Sequence, residues 1–146
     1  MNQAAVADKD TDEVRAPRHG AILVVEDRDD VRRGLAQLLE YHGYVVTDAG
    51  DGATALGRLQ TSPDGIALIL LDLMLPGDIG GRDIRARQLA DPQLASIPAV
   101  VITATEPPAD ERAWLHADGW LDKPFRFEEL LSIVKRYVVA EAPIDS

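Results

Sequence analysis

Five side chains able to bind a cation or a phosphoryl group lie at the ends of short apolar runs in this sequence. Glu26 and Asp27 follow the first run, Asp72 follows the third, Thr103 closes the fourth and Lys123 comes just after the fifth. Carboxylates held close together repel one another, so they either take up protons or share a cation. A hard divalent ion such as Mg2+ prefers oxygen ligands, and it binds one or two carboxylates together with phosphate oxygens.

The same residue types can accept a phosphoryl group. The carboxylate of Asp72 is a nucleophile able to form an aspartyl phosphate, and an ion at the end of an apolar strand is costly unless it is paired or used. Thr103 can donate a hydrogen bond to a phosphoryl oxygen, while the ammonium of Lys123 can offset the charge of another. Taken singly, Glu26 and Asp27 are equally explained as an acidic loop that caps a helix.

Five β-α units must position these residues. Short runs rich in Val, Ile and Leu alternate with longer amphipathic stretches, which is typical of helices packed around a parallel sheet. Ligands bind beyond the carboxyl ends of the strands in such a sheet, so the polar residues converge on one edge. The predicted strands are Ala21–Glu26, Tyr44–Asp48, Ile66–Leu71, Ala99–Thr103 and Trp120–Leu121.

The first and last predicted helices have the clearest apolar faces. Asp29 or Asp30 is expected to cap the first helix, and Gly43 is expected to end it. The face of the first helix consists of Val31, Leu35, Leu38, Leu39 and His42, and that of the last consists of Phe127, Leu130, Leu131, Val134 and Val138.

The three middle helices are less distinct. The second is predicted over about residues 51–60, and the third has Ile84 as its main apolar anchor. The fourth is expected to begin at Pro107 and Pro108 and to be loosely held, because it offers mostly alanines to the core. The arginines interpreted as a solvated face of the third helix are Arg82, Arg85 and Arg87, and the alanines of the fourth are Ala109, Ala113 and Ala117.

Composition limits the class of protein. A formal net charge of -10 disfavours a nucleic-acid or anionic-membrane partner, and the absence of cysteine excludes disulfides and thiolate metal sites. The apolar runs are far shorter than the roughly 20 residues that cross a bilayer, and an acidic N-terminus replaces a signal peptide, so we expect a cytoplasmic protein. We expect a disordered tail at 1–19, one domain at 20–139 and a C-terminal tail at 140–146.

Four segments of the sequence resemble the landmark motifs of response-regulator receiver domains from two-component systems. They are ILVVED at 22–27, LLDLMLP at 70–76, VITA at 101–104 and GWLDKPF at 119–125. The resemblance covers about residues 21–139. It implies an α/β fold, a doubly wound (βα)5 flavodoxin-like sandwich whose five-stranded parallel sheet has the order 2-1-3-4-5.

The resemblance also assigns a role to each candidate residue. Glu26, Asp27 and Asp72 would hold Mg2+ together with the backbone carbonyl of Met74. Asp72 would be the phosphoacceptor and Lys123 the lysine that contacts the phosphoryl group. The resemblance also implies that Thr103 is the switch hydroxyl and that Trp120 is the aromatic switch residue. It further implies that the Lys123-Pro124 peptide bond is cis.

A receiver of this kind is a signal transducer and not an enzyme. The partners implied are a sensor histidine kinase or a histidine phosphotransfer protein, and a downstream protein contacted through the fourth helix, fifth strand and fifth helix. We expect a monomer or a phosphorylation-dependent dimer. From the length we expect no DNA-binding domain, and from the initiating methionine we expect a single-domain protein.

The sequence departs from the family pattern after Asp72. The loop Gly77–Gly81 is one residue longer than usual, with Asp78 as the insertion, and its three glycines predict flexibility. Met74 and Thr105 occupy the positions that help to orient the attacking water in similar domains. Because neither supplies a carboxylate, we expect slow self-dephosphorylation.

Three other functions compete with this interpretation. An aspartate-nucleophile phosphatase needs a second aspartate at the position of Met74, and a flavodoxin-like cofactor binder needs a phosphate-binding loop where Glu26 and Asp27 would repel an anion. A pseudo-receiver, which is an interaction module without phosphorylation, remains the alternative.

Overall fold

The computed structural model describes residues 16–141, which form five strands and five helices in alternation. The strands are β1 Ala21–Val25, β2 Val46–Ala49, β3 Ile66–Asp72, β4 Ala99–Thr103 and β5 Gly119–Asp122. The helices are α1 Asp29–Tyr41, α2 Gly52–Thr61, α3 Gly81–Ala90, α4 Ala109–Leu115 and α5 Phe127–Tyr137. All strands pair in parallel in the order β2-β1-β3-β4-β5, so the predicted doubly wound fold is confirmed.

The sheet separates two apolar cores. All seven residues of β3 are buried, and alternate residues pack on opposite faces. Leu68 and Leu70 face α1 and α5, whereas Ile69 and Leu71 face α2 and α3. A third, smaller cluster of Leu73, Val101 and Leu115 lies beneath α4. Burial on both faces explains why the central strands are continuously apolar in sequence.

Helix α1 begins differently from the sequence expectation. Its N-cap is Arg28, which makes no side-chain cap bond, so the predicted cap at Asp29 or Asp30 is wrong. Both aspartates lie in the first turn, where the helix dipole favours a negative charge. Gly43 ends the helix with a positive φ of 91°, as predicted. Leu38 is 45% exposed, so its predicted place on the buried apolar face is wrong.

Helix α4 also differs from the prediction. It begins at Ala109 with Pro108 as N-cap, and it contains 7 residues. Ala109 and Ala113 are exposed, while Leu115 at the end of the helix is completely buried. The apolar contact of α4 is thus made by Leu115 and not by Ala109 or Ala113, while Ala117, which lies just beyond the helix, packs against the same cluster.

The two ends of the described chain meet at one side of the domain. The amide of Arg18 donates to the carbonyl of Tyr137 at 2.9 Å, and the amide of Val139 donates to the carbonyl of Arg18 at 2.9 Å. Glu141 then bonds the carbonyl of Gly43 through its amide at 2.8 Å. The remainder of the predicted tails, 1–15 and 142–146, lies outside the described residues. Between residues 16 and 141, no helix combines the length and apolarity needed to cross a bilayer.

Candidate functional site

Three carboxylates meet at the carboxyl ends of β1 and β3. Glu26, Asp27 and Asp72 each place an oxygen within 4.8 Å of the others. Glu26 and Asp72 are only 3% exposed, whereas Asp27 is half-buried. Hard oxygen donors at this density suit a divalent cation such as Mg2+, so the residues present fit the metal that the resemblance implies.

The ammonium of Lys123 supplies the positive charge that these carboxylates need. Its Nζ lies 2.9 Å from Asp72 Oδ2 and 3.3 Å from Glu26 Oε1. Burial alone lowers the pKa of Lys123, but its hydrogen bond to Asp72 and the charges of Asp72 and Glu26 together raise it. Burial raises the pKa of Glu26, and the neighbouring charge of Asp72 raises it further. The lysine therefore stays charged within the cluster.

Backbone amides fix the two buried carboxylates. The Met74 amide donates to Asp72 Oδ1 at 2.9 Å, and the Arg28 amide donates to Glu26 Oε2 at 3.0 Å. Both oxygens of Asp72 are therefore held, one by an amide and one by the lysine. Met74 is 60% exposed, so its contact with Asp72 is through the backbone amide while the residue itself faces solvent. The role of the Met74 carbonyl as a metal ligand stays a prediction.

Thr103 lies at the same sheet edge but its hydroxyl is bonded elsewhere. The residue is 2% exposed, and its hydroxyl donates to the carbonyl of Thr105 at 2.7 Å. The Thr105 amide donates back to Thr103 Oγ1 at 3.2 Å. The side chain thus holds the loop after β4 and must break this pair before it can bond a group on Asp72.

Trp120 occupies β5 beside the small core under α4. It is partly buried and packs against the cluster that contains Leu115. The guanidinium carbon of Arg112 lies 4.1 Å from the ring centroid, which is a cation–π contact. Arg112 also forms an ion pair with Glu106 of the loop after β4. The Lys123-Pro124 bond is cis, as predicted.

The glycine-rich loop is anchored at several points, while its flexibility stays a prediction. Gly77 has a φ of 93°, which favours glycine, but Ile79 packs against the core under α2 and α3. The Gly80 amide donates to Asp83 Oδ2 at 3.0 Å, which caps α3. A Cβ at Gly81 would lie 2.7 Å from the Asp72 carbonyl oxygen, so α3 begins directly on the backbone of the proposed phosphoacceptor.

The interpretation of the third helix as carrying a solvated arginine face is wrong for Arg85. Its side chain is buried, with the residue 2% exposed, and it bonds Leu115, His116 and Gln88. Burial lowers the pKa of its guanidinium. The sequence held a signal for this burial, because the face of α3 that turns inward follows the helical spacing i, i+3, i+4, i+7. That face consists of Gly81, Ile84, Arg85 and Gln88.

Comparisons with known proteins agree with this geometry. The family model of the response regulator receiver domain matches residues 22–135. Sensory transduction protein RegX3 from Mycolicibacterium smegmatis is 34% identical over 120 residues, which cover 79% of this chain and 49% of the relative. The chain therefore spans about half the length of the curated relatives it matches.

Solved structures show the same fold. Vibrio cholerae chemotaxis protein CheY4 superposes with a TM-score of 0.73 at 28% identity, covering 83% of this chain and 100% of that chain. The phosphorylated cyanobacterial phytochrome response regulator RcpA has a TM-score of 0.64 at 30% identity, covering 81% of this chain and 90% of that chain.

Proposed function

Because the chain belongs to the response regulator receiver domain family, we propose that it accepts a phosphoryl group on Asp72 in a Mg2+-dependent reaction. The observation that carries this proposal is the placement of Asp72 in one cluster with two further carboxylates and Lys123. The donor would be a sensor histidine kinase or a histidine phosphotransfer protein. A solved relative, RcpA, is described as phosphorylated, which supports the same chemistry here.

The transfer exchanges one covalent bond for another. An oxygen of Asp72 forms a bond to phosphorus while the phosphorus–nitrogen bond of phosphohistidine breaks, and the departing imidazole takes up a proton. Glu26, Asp27 and Asp72, with the Met74 carbonyl, would hold Mg2+, which supplies positive charge near the phosphoryl oxygens. Lys123 shifts its ammonium from the carboxylate to a phosphoryl oxygen, and the Met74 amide keeps Asp72 oriented.

The response is proposed to pass through Thr103. Turning its hydroxyl toward the phosphoryl group breaks both bonds to Thr105 and frees the loop after β4. Arg112 is paired with Glu106 of that loop and contacts the ring of Trp120, so both side chains are expected to move with the loop. The face formed by α4, β5 and α5 would then contact a downstream protein in the cytoplasm, as a monomer or a phosphorylation-dependent dimer. The glycine-rich loop, the exposed Met74 and Thr105 are the chain's own departures from the family.

The test is phosphorylation by a small phosphodonor. Purified protein is incubated with acetyl phosphate and Mg2+, and intact mass is measured for wild type, Asp72→Asn and Asp78→Asn. We expect wild type and Asp78→Asn to gain one phosphoryl group and Asp72→Asn to gain none, with EDTA abolishing the gain. No gain in wild type would favour the alternative, an interaction module without phosphorylation.

A further inference from the structure

Arg85 ties α3 to the end of α4. Its Nε donates to the carbonyl of Leu115 at 2.6 Å, and its Nη2 donates to the carbonyl of His116. The last carbonyls of a helix lack partners within the helix, and a cation is favourable at that end. A helix of 7 residues has little stability of its own, so these bonds matter to α4 more than they would to a long helix.

Gln88 holds Arg85 in place. Its Oε1 accepts from Arg85 Nη1 at 2.6 Å, and its Nε2 donates to the carbonyls of Leu94 and Ile97 at 2.9 and 2.8 Å. Arg85 and Gln88 are 2% and 1% exposed. A buried guanidinium whose bonds go to fixed carbonyls and a fixed amide cannot follow α4 to a new position without leaving donors unpaired, which is costly.

The first residue of α3, Gly81, packs against the backbone of Asp72. Gly81 packs so closely that a Cβ would be 2.7 Å from the Asp72 carbonyl oxygen and 2.8 Å from the Leu73 carbonyl oxygen. Arg85 follows Gly81 by four residues, which is about one helical turn. A second link, the ion pair of Arg82 with Glu111, is partly exposed and is therefore expected to be weak.

We infer that Arg85 is a positioning residue through which a change at Asp72 moves the carboxyl-terminal end of α4 together with α3. This inference rests on the proposed phosphorylation of Asp72. It adds a second route to the one through Thr103, because Thr103 acts on the loop that precedes α4, whereas Arg85 acts on the residues that end it.

Two methionine variants distinguish a positioning role of Arg85 from a general contribution of an α3 arginine to stability. Arg85→Met keeps much of the apolar stem but removes every donor. Arg87→Met is the matched control on the same helix, since Arg87 is exposed and makes no side-chain hydrogen bond or ion pair within residues 16–141. Both variants are first tested for cooperative urea unfolding.

Backbone NMR then follows α4 in two steps. Without any phosphoryl analogue, the amides of residues 113–115 in Arg85→Met should exchange about tenfold faster than in Arg87→Met, the effect expected from losing a charged hydrogen bond. After beryllofluoride and Mg2+ are added, wild type and Arg87→Met should show amide shifts at both 104–106 and 113–117. Arg85→Met should keep the shifts at 104–106 and lose those at 113–117.

Each outcome decides one question. Shifts at 113–117 in Arg85→Met equal to those of wild type would overturn the inference while leaving the proposed function intact. No shifts in wild type, even at 104–106, would overturn the proposed function. If Arg85→Met does not fold, Arg85→Lys keeps the charge without the planar fork, and we expect a reduced response at 113–117; a full response there would equally overturn the inference.

Discussion

The ammonium of Lys123 lies 2.9 Å from Asp72 Oδ2, so the carboxylate proposed to attack phosphorus is paired with a cation before any donor arrives. The same ammonium also contacts Glu26. Divalent cations must therefore bind a cluster whose repulsion is already partly relieved. The ammonium and a divalent cation compete for the same carboxylates, and this competition determines the effect of removing the lysine charge.

Lys123→Gln should raise the affinity for Mg2+ and slow phosphorylation. Without the ammonium, the three carboxylates attract a divalent cation more strongly, and we expect an increase of about fivefold to tenfold in affinity. Phosphorylation slows because one phosphoryl oxygen loses its partner. Isothermal titration measures the affinity, with Lys135→Gln on the exposed side of α5 as control. Equal affinities for the two variants would contradict the pairing.

Gly81→Ala should destabilise the fold by about 1–3 kcal/mol, the usual cost of forcing a methyl group into a packed site. The new Cβ would meet the backbone of Asp72 and Leu73 at under 3.0 Å. Gly57→Ala is the control, because a Cβ there meets nothing within 4 Å and alanine favours a helix by about 0.5–1 kcal/mol. Urea unfolding should therefore move in opposite directions for the two variants.

Thr103→Val should keep phosphorylation but weaken the signal to Trp120. Valine fills a similar volume and lacks the hydroxyl that holds Thr105 and would turn to the phosphoryl group. In a Trp114→Phe background, Trp120 is the one remaining tryptophan of the chain. On phosphorylation, the fluorescence of Trp120 should change in the protein that keeps Thr103 and should change much less in the Thr103→Val variant. An undiminished change would exclude Thr103 as the switch.

Met74→Asn combined with Thr105→Glu should shorten the lifetime of the phosphorylated state. Met74 is 60% exposed beside Asp72, and neither residue can orient an attacking water through a carboxylate. Adding an amide and a carboxylate should accelerate hydrolysis by about 100-fold, the lower end of the range for positioned general bases. Loss of the phosphoryl mass with time measures it, with Met74→Leu as control.

Asp51→Ala should destabilise α2 at neutral pH and lose its effect in acid. Asp51 Oδ1 accepts the Thr54 amide at 2.8 Å, and that hydrogen bond lowers the pKa of Asp51 below its usual value. A carboxyl whose pKa falls on folding stabilises the fold above its unfolded pKa, and this contribution disappears as the pH falls through the folded pKa. Urea midpoints of wild type and variant should therefore converge toward low pH. Asp64→Ala serves as the control.

The sequence was sufficient for the alternation of strands and helices and for the place of the site because both depend on backbone periodicity, whereas the strand order was implied only by the resemblance to receiver domains. Buried parallel strands are continuously apolar, and the residue after each one faces the same edge. Glu26, Asp72 and Lys123 converge as predicted, since β1, β3 and β5 all end there. No part of that reasoning requires knowledge of side-chain partners.

The elements that escaped prediction are those whose stability comes from polar side chains. Arg85 and Gln88 lie at buried helical positions, but the charge of an arginine normally indicates a solvated face. Their burial depends on carbonyls at Leu115 and Ile97, which are distant in sequence. For the same reason nothing in the sequence indicates the hydrogen bonds from Arg85 to the end of α4, and the loose packing of that helix stays a prediction.

The pairing of Arg18 with Tyr137 and Val139 places the two ends of the domain side by side. Adjacent ends allow a domain to be inserted into a loop of another protein, or to be circularly permuted, without stretching its core. A short linker between residues 18 and 139 should close this chain into a permuted form. Such a form should open at the exposed turn that contains Asp64, which follows the carboxyl end of α2, whereas the start of that helix at Gly52 lies against Ile79.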